Sequence, residues 1–180
     1  PGKGGQSVEE VPVFDKVAEA VEKTGARVSV LFVPAEFAFA AGEEAILAGI
    51  KLLVVITEHI PIRDTLKLLQ VTQRNGASMV GPNCPGLIVP SQKVKLGIMP
   101  APSFTPGSVA LFSRSGTLMY EIAGQLTHSG LGQSVALGIG GDPVTGITAS
   151  ECLDFVEGLE DTKALVVVGE GHVAHGVASG

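Results

Sequence analysis

The chain has 180 residues, a formal net charge of −6 and 24 glycines, and 45% of its residues are hydrophobic but only 4% are aromatic. It contains neither a basic, aromatic-interleaved stretch to bind nucleic acid nor an apolar run of the ~18 residues that a membrane span needs. Val, Ile, Leu and Ala must therefore form the core, which together with many glycines is typical of an α/β protein with buried parallel strands.

Apolar and amphipathic segments alternate along the chain. Strands are predicted at residues 28–34, 51–58, 78–83, 108–113, 134–140 and 163–170. Helices are predicted at residues 43–50, 62–76, 116–129 and 148–159. This alternation predicts βαβ units and an α/β fold with two parallel-sheet domains, Rossmann-like or flavodoxin-like. We place the domains at residues 1–103 and 104–180, because residues 84–107 are too rich in Gly and Pro for a long helix.

Both ends of the chain depart from this alternation. "PGKGG" opens the chain as a glycine-rich loop without a preceding strand, and "GEGHVAHGVASG" follows the last predicted strand without a helical or core pattern. A sheet whose first strand begins at residue 28 lacks a first βαβ unit. We therefore expect these residues to be part of a longer polypeptide.

The two cysteines, Cys84 and Cys152, lie far apart and form no CxxC motif. This pattern indicates a reducing compartment, the cytoplasm or the mitochondrial matrix. Because no base or metal ligand lies near Cys84 in the sequence, we predict a buried structural thiol there.

The segment "SRSGTLMYE" (113–121) follows a strand and begins a helix. A nucleophile elbow, G-x-S-x-G, would need glycine where this chain has Ser113, so a hydrolase nucleophile is disfavoured. The serine hydroxyls can instead cap the helix, while Gly116 leaves its free N–H groups accessible to an anion. A plain helix cap without a ligand fits the local pattern equally well.

Other glycine-rich segments are weaker candidates. "GIGGDPVTG" (138–146) follows a strand and could form a second anion-binding turn. Lys3 in "PGKGG" suits a phosphate group, although a surface turn is the alternative. "GLGQSV" has Val135 where a dinucleotide-binding loop needs its third glycine, so no NAD site is predicted. We predict no metal site.

Eight motifs occur in a fixed order: "PGKGG", "FVPAEF", "VITEHIP", "GPNCPG", "KLGIMP", "SRSGTLMYE", "GIGGDP" and "VVVGE". Between Pro1 and Glu170 the chain thereby resembles the α-subunit family of succinyl-CoA synthetase, whose relatives include malate–CoA ligase and the central part of ATP-citrate lyase. The resemblance implies a CoA-binding Rossmann-like domain followed by a flavodoxin-like ligase domain. It also implies that the family's N-terminal strand and much of its C-terminal region are not part of this sequence.

The resemblance implies one group of residues that contact CoA. They are Lys3, Ile56, Thr57 and Glu58. The residue pattern agrees, because Lys3 is a suitable phosphate partner and residues 56–58 end a parallel strand, where α/β sheets bind ligands. His59, directly after this group, stands where the family usually carries glycine.

The resemblance implies a second group for phosphoryl transfer. Three residues match the helix start that faces a phosphorylated histidine: Ser115, Gly116 and Thr117. Tyr120 matches a substrate-contacting tyrosine, and Glu170 matches the glutamate that hydrogen-bonds the histidine. His172 is the candidate for the histidine, although the family's Gly-His-Ala-Gly loop lies further along the chain and is not present in that form.

The implied reaction is reversible, and its acyl group passes between CoA and phosphate while a histidine relays the phosphoryl group to a nucleoside diphosphate. The implied partner is a β subunit that binds Mg²⁺ and ATP or GTP, in a heterodimer or heterotetramer of the tricarboxylic acid cycle. Succinate and phosphate are the implied substrates. A CoA-binding regulatory module without catalysis and a malate– or citrate–CoA ligase remain alternatives, and transfer of label from ATP to histidine distinguishes the first of them from an enzyme.

Overall fold

The computed structural model describes residues 2–169. The helices and strands within this range are, in chain order, β1 (Ser7–Val8), β2 (Val11–Pro12), α1 (Val17–Thr24), β3 (Val28–Leu31), α2 (Ala35–Leu47), β4 (Leu52–Val55), α3 (Ile62–Arg74), β5 (Ser78–Val80), β6 (Gly86–Val89), β7 (Val94–Gly97), β8 (Pro106–Ser113), α4 (Gly116–His128), β9 (Gln133–Gly138), α5 (Ala149–Glu157) and β10 (Ala164–Val168). None of these helices is long and apolar enough to cross a membrane.

Two larger sheets carry the fold, and β1 pairs with β2 in a small antiparallel ribbon. The first sheet has the order β3-β4-β5 and is parallel throughout. The second has the order β10-β8-β9-β6-β7, in which β10, β8 and β9 are parallel. The predicted α/β fold with parallel sheets is therefore confirmed.

The stretch 84–107 contains an antiparallel hairpin that the sequence pattern did not indicate. Strand β6 pairs antiparallel with both β7 and β9, so the hairpin extends the second sheet. The chain thus changes sheets between β5 and β6, before the stretch where we placed the domain boundary. The division at residues 103 and 104 itself stays a prediction.

Local hydrogen bonds explain why helices α3 and α5 could be predicted closely. Helix α3 ends beside Asn75, whose side-chain amide donates to the carbonyl of Val71 at 2.8 Å. Helix α5 begins with a capping box, in which Glu151 N–H donates to Thr148 Oγ1 at 3.2 Å and Thr148 N–H donates to Glu151 Oε2 at 2.8 Å. Such caps replace the hydrogen bonds that a helix end lacks.

Helix α2 begins at Ala35, well before the predicted residue 43, and α1 was not predicted at all. Gly42 interrupts the helical pattern in the sequence, but in the structure it is buried inside α2. A Cβ atom at this position would lie 2.7 Å from Cδ1 of Leu68 on α3, so glycine is needed for the close approach of the two helices. Tertiary packing here overrides the local signal.

The two sheets share a hydrophobic cluster. Val54 of β4 and Val80 of β5 pack with Ala110 and Phe112 of β8 and Leu137 of β9, and all five side chains are buried. Burying apolar surface from both sheets in one cluster holds them against each other. The carboxyl ends of their parallel strands consequently lie close together.

Gln133, at the start of β9, is fully buried at 0% exposure. Its side-chain amide donates to the carbonyl of Ala123 in α4 at 3.1 Å, and its side-chain carbonyl accepts from the N–H of Thr105 at 3.1 Å. These bonds tie the middle of α4 to the segment that leads into β8.

Replacing Gln133 with leucine keeps the side-chain volume but removes the acceptor for Thr105 N–H. We expect Gln133→Leu to lower the free energy of unfolding by about 1–3 kcal/mol, as a buried unsatisfied donor does. Urea unfolding measures the change. The matched control is Gln125→Leu, at an exposed position on α4, where we expect a change within about 0.5 kcal/mol. Equal changes at both positions would contradict this role for Gln133.

Candidate functional site

A cleft of about 770 Å³ opens where strands of both sheets end. We call it the strand-end cleft, and its walls come chiefly from residues 32–35, 56–58, 83–85 and 114–117, which follow β3, β4, β5 and β8. Ligands of α/β sheets bind outside the carboxyl ends of the strands. Of the predicted site residues, 56–58, 115–117 and Tyr120 line this single cleft.

The segment after β4 forms one wall. Its backbone continues the sheet, since Ile56 N–H donates to the carbonyl of Leu31 at 3.1 Å. The hydroxyl of Thr57 donates to the carbonyl of Val33 at 2.7 Å, which fixes this segment to the end of β3. The wall is therefore held rigidly by the sheet.

Glu58 and His59 project into solvent at the rim of this wall. Their side chains lie 3.7 Å apart and are 65% and 85% exposed, so the pair contributes little stability. The φ of His59 is +62°, a left-handed conformation that glycine adopts without strain. The turn is thus formed with histidine at the position where glycine was expected from the resemblance.

Lys3 is not among the lining residues of the strand-end cleft in the described part of the chain. It lies exposed in the "PGKGG" loop, where the N–H groups of Gly2 and Gly4 donate to Oδ1 of Asp15 at 2.9 and 3.0 Å. The hydrogen bond from Gly4, and to a smaller extent that from Gly2, lowers the pKa of Asp15. The loop is ordered by a carboxylate of its own chain, and CoA contact by Lys3 stays a prediction.

The N-terminus of α4 forms the opposite wall. Ser115 is the N-cap residue, and its Oγ accepts from Leu118 N–H at 3.4 Å. The N–H of Ser115 itself donates to Oγ of Ser113 at 3.0 Å. Within residues 2–169, the N–H groups of Gly116 and Thr117 have no hydrogen-bond acceptor. The amides of Gly116 and Thr117 are therefore available to an anion, and the binding of phosphate by residues 115–117 stays a prediction.

Gly116 is not demanded by the fold. Its φ is not positive, and a Cβ atom there would meet only the ring of Pro85, at the ordinary contact distance of 3.8 Å. The absence of a side chain at this position leaves the helix start open toward the cleft.

Tyr120 and Cys84 form part of the cleft wall between the two segments. Cys84 is 4% exposed, and its thiol donates to the carbonyl of Val55 at 3.2 Å. Burial raises the pKa of Cys84 to about 12. Burial raises the pKa of Tyr120, and the neighbouring Cys84 raises it further. The hydroxyl of Tyr120 therefore stays protonated near neutral pH and can donate a hydrogen bond. The prediction of a buried thiol at Cys84 is confirmed.

Three residues at or beside the cleft were not predicted from the sequence: Arg114, Asn83 and Asp142. Arg114 is the one lysine or arginine lining the cleft within the described range, and its Nη2 donates to the carbonyl of Asp142 at 2.6 Å. Asn83 donates through Nδ2 to the carboxylate of Asp142 at 3.0 Å. All three residues follow strands, which is the signal that could have drawn attention to them. The two predicted residues Glu170 and His172 lie outside the described part of the chain.

Comparison with protein families agrees with this geometry. Residues 1–59 match the family described as CoA binding domain, and residues 112–178 match the family described as CoA-ligase. The chain is 54% identical over 170 residues to succinate–CoA ligase [ADP-forming] subunit alpha 2 of Archaeoglobus fulgidus, covering 94% of this chain and 59% of that protein. It is 51% identical over 172 residues to the corresponding alpha subunit of Aquifex aeolicus, covering 94% and 56%.

Solved structures of lower identity share the fold. Acetyl-coenzyme A synthetase 1 of Ca. Korarchaeum cryptofilum, in complex with phosphate and ADP, gives a TM-score of 0.82 at 21% identity over 96% of this chain and 37% of that chain. ATP citrate lyase of Methanothrix soehngenii, in complex with citrate and coenzyme A, gives a TM-score of 0.80 at 21% identity. The match covers 88% of this chain and 27% of that chain.

Fold and cleft together define an α/β chain of the CoA-ligase class. The chain belongs to the succinate–CoA ligase α-subunit family, which confirms the resemblance seen in the motifs. It spans 56–59% of the length of these two curated relatives.

The raised pKa of Cys84 predicts that this thiol is inert although it lines a cleft. With a pKa of about 12, only about one thiol in 10⁴ is ionised at pH 8, against roughly a quarter for an unperturbed cysteine. We expect iodoacetamide to alkylate Cys84 at least ~100-fold more slowly in the native chain than in urea, and the native rate to rise with pH. Peptide mass spectrometry measures both rates. Equal rates in buffer and in urea at pH 8 would contradict the burial of this thiol.

Proposed function

We propose that this chain provides the CoA-binding and phosphate-binding part of the α subunit of a nucleoside-diphosphate-forming succinate–CoA ligase. The reaction interconverts succinyl-CoA, phosphate and a nucleoside diphosphate with succinate, CoA and a nucleoside triphosphate. One observation carries the proposal. The strand-end cleft is lined on one side by residues 56–58 and on the other by the N–H groups of Gly116 and Thr117, which have no acceptor among residues 2–169.

The helix start is suited to inorganic phosphate. The unpaired N–H groups lie at the positive end of the dipole of α4, a 13-residue helix. Arg114 adds a full positive charge to the same cleft. A related fold, the Korarchaeum synthetase, is described with phosphate and ADP. Fixed donors of this kind stabilise charge on a transferring phosphoryl group without reorganising.

The wall after β4 is suited to CoA. Residues 1–59 match a CoA binding domain, and Thr57 and Glu58 would bind the end of the cofactor that enters the cleft. Lys3, from the preceding loop, would pair with one of its phosphates. When bound, CoA supplies the thiol that carries the acyl group. The chain's own residues hold that end of the cofactor opposite the helix start.

Further residues complete the proposed chemistry. The protonated hydroxyl of Tyr120 would donate a hydrogen bond to the acyl substrate within the cleft. His172, oriented by Glu170, is the proposed phosphoryl carrier, since a neutral imidazole is available near pH 7. A β subunit would supply Mg²⁺ and the nucleotide. We infer succinate as the acid because both curated relatives are named as alpha subunits of succinate–CoA ligase. A reducing compartment suits the two free cysteines.

The proposal is tested with the full-length α chain and its β partner. We expect the complex to bind CoA and to take label from γ-labelled ATP onto histidine, as an acid-labile, base-stable phosphoprotein. Gly116→Val should lower the labelling rate about 100-fold or more, because its side chain covers two donors to the phosphoryl group. CoA affinity should be unchanged, and the cost in folding should stay below about 1 kcal/mol.

The matched control is Gly124→Val on the same helix, where a Cβ atom would meet nothing within 4 Å. This variant should label at the wild-type rate. CoA binding without any label in the wild-type complex would instead identify a binding module without catalysis. If Gly116→Val lost labelling, CoA binding and thermal stability together, Gly116 would be a packing residue and the phosphate site would be refuted.

A further inference from the structure

A continuous set of hydrogen bonds crosses the floor of the strand-end cleft from one wall to the other. It begins where the hydroxyl of Thr57 donates to the carbonyl of Val33 at 2.7 Å. Asn83 N–H then donates to the carbonyl of Thr57 at 2.9 Å. Gly141 N–H in turn donates to the carbonyl of Asn83 at 2.9 Å. The backbone bonds of Asn83 therefore join the first sheet to the loop after β9.

Asp142, the next residue of that loop, is held from two sides. Its carboxylate accepts from Nδ2 of Asn83 at 3.0 Å, and its backbone carbonyl accepts from Nη2 of Arg114 at 2.6 Å. Arg114 directly precedes the N-cap residue of α4, and its own N–H donates to the carbonyl of Val168 at the end of β10 at 3.0 Å. The bonds thus end beside the N-cap residue of the helix that carries the proposed phosphate site.

The residue types at these positions are specific to this arrangement. Asn83 has a φ of +53°, a left-handed conformation that asparagine and aspartate tolerate better than other side chains. The Nε of Arg114 is buried without a hydrogen-bond partner within the described range. Burying an unpaired donor costs free energy. The hydrogen bond from Nη2 to the carbonyl of Asp142 offsets part of this cost and holds the Arg114 side chain in place.

We propose that Asn83, Asp142 and Arg114 are positioning residues that set the distance between the CoA wall at residues 56–58 and the start of α4. This inference rests on the proposed function. In the acyl-transfer step a phosphate oxygen adds to the carbonyl carbon of the thioester, and the C–S bond then breaks with CoA leaving as its thiolate. The oxygen must therefore lie against that carbon, and a displacement of about 1 Å can cost about 100-fold in rate. The three residues connect the two walls through hydrogen bonds, and Asn83 and Asp142 need not contact either reactant.

The experiment exchanges the donor, Asn83, and the acceptor, Asp142, in the full-length α chain with its β partner. Asn83→Asp places two carboxylates against each other at the 3.0 Å contact, and like charges at this distance repel. Asp142→Asn keeps an acceptor oxygen, so the single variant is the matched control. The double variant N83D/D142N restores one donor and one acceptor with the roles reversed.

We expect N83D to lower kcat for succinyl-CoA formation about 10- to 100-fold. The Kd for CoA and the rate of histidine labelling by ATP should stay within about twofold of wild type, because each wall remains intact by itself. D142N should behave as wild type. The double variant should recover kcat to within about threefold, as expected for two residues that act through one contact.

Three results would overturn the inference: a wild-type kcat in N83D, a double variant as slow as N83D, or a parallel loss of CoA binding and labelling. If N83D does not fold, Arg114→Lys breaks the same path at its other end while keeping the charge, and it should show the same split between kcat and Kd. A wild-type complex that neither binds CoA nor takes label refutes the proposed function itself. A wild-type complex that does both, with N83D at full rate, refutes this inference alone.

Discussion

The two larger sheets pack into one hydrophobic cluster, and this packing determines where the cleft lies. Val54 and Val80 of the first sheet are buried with Ala110 and Phe112 of the second, so neither sheet can shift without exposing apolar surface. Because side chains of both sheets meet there, the carboxyl ends of β3, β4, β5 and β8 open onto one cleft. A site that needs groups from two βαβ units follows from this packing.

The chemistry of the cleft comes mostly from fixed dipoles and only to a small extent from charged side chains. The chain as a whole carries a formal charge of −6, and Arg114 is the one lysine or arginine lining the cleft within residues 2–169. In the same range the N–H groups of Gly116 and Thr117 lack an acceptor, and they add positive potential at the start of α4. Such donors are positioned by the helix and keep their direction, which suits the proposed reaction because its substrates must be aligned.

Much of this could be predicted from the sequence where the signal is local. Residues 56–58 end a predicted apolar strand and residues 115–117 follow one, and this alone indicates a ligand-binding edge. The rest depends on contacts between distant residues. Asn83 and Asp142 are 59 positions apart, and no local pattern pairs them. Gly42 interrupts a helical pattern yet lies within α2, because its missing side chain admits Leu68. The β6–β7 hairpin owes its place to β9, and its Gly- and Pro-rich sequence indicated only that no long helix would form.

On the proposed function, one cleft holds the thiol end of CoA and a phosphate ion at the start of α4. A crystal structure of the full-length α chain with its β partner, grown with CoA and phosphate, tests it most directly. We expect phosphate oxygens at hydrogen-bond distance, about 2.7–3.2 Å, from the nitrogens of Gly116 and Thr117, with the CoA sulfur in the same cleft beside residues 56–58. Phosphate bound elsewhere while these two nitrogens contact only water, or CoA bound outside the strand-end cleft, would contradict the account.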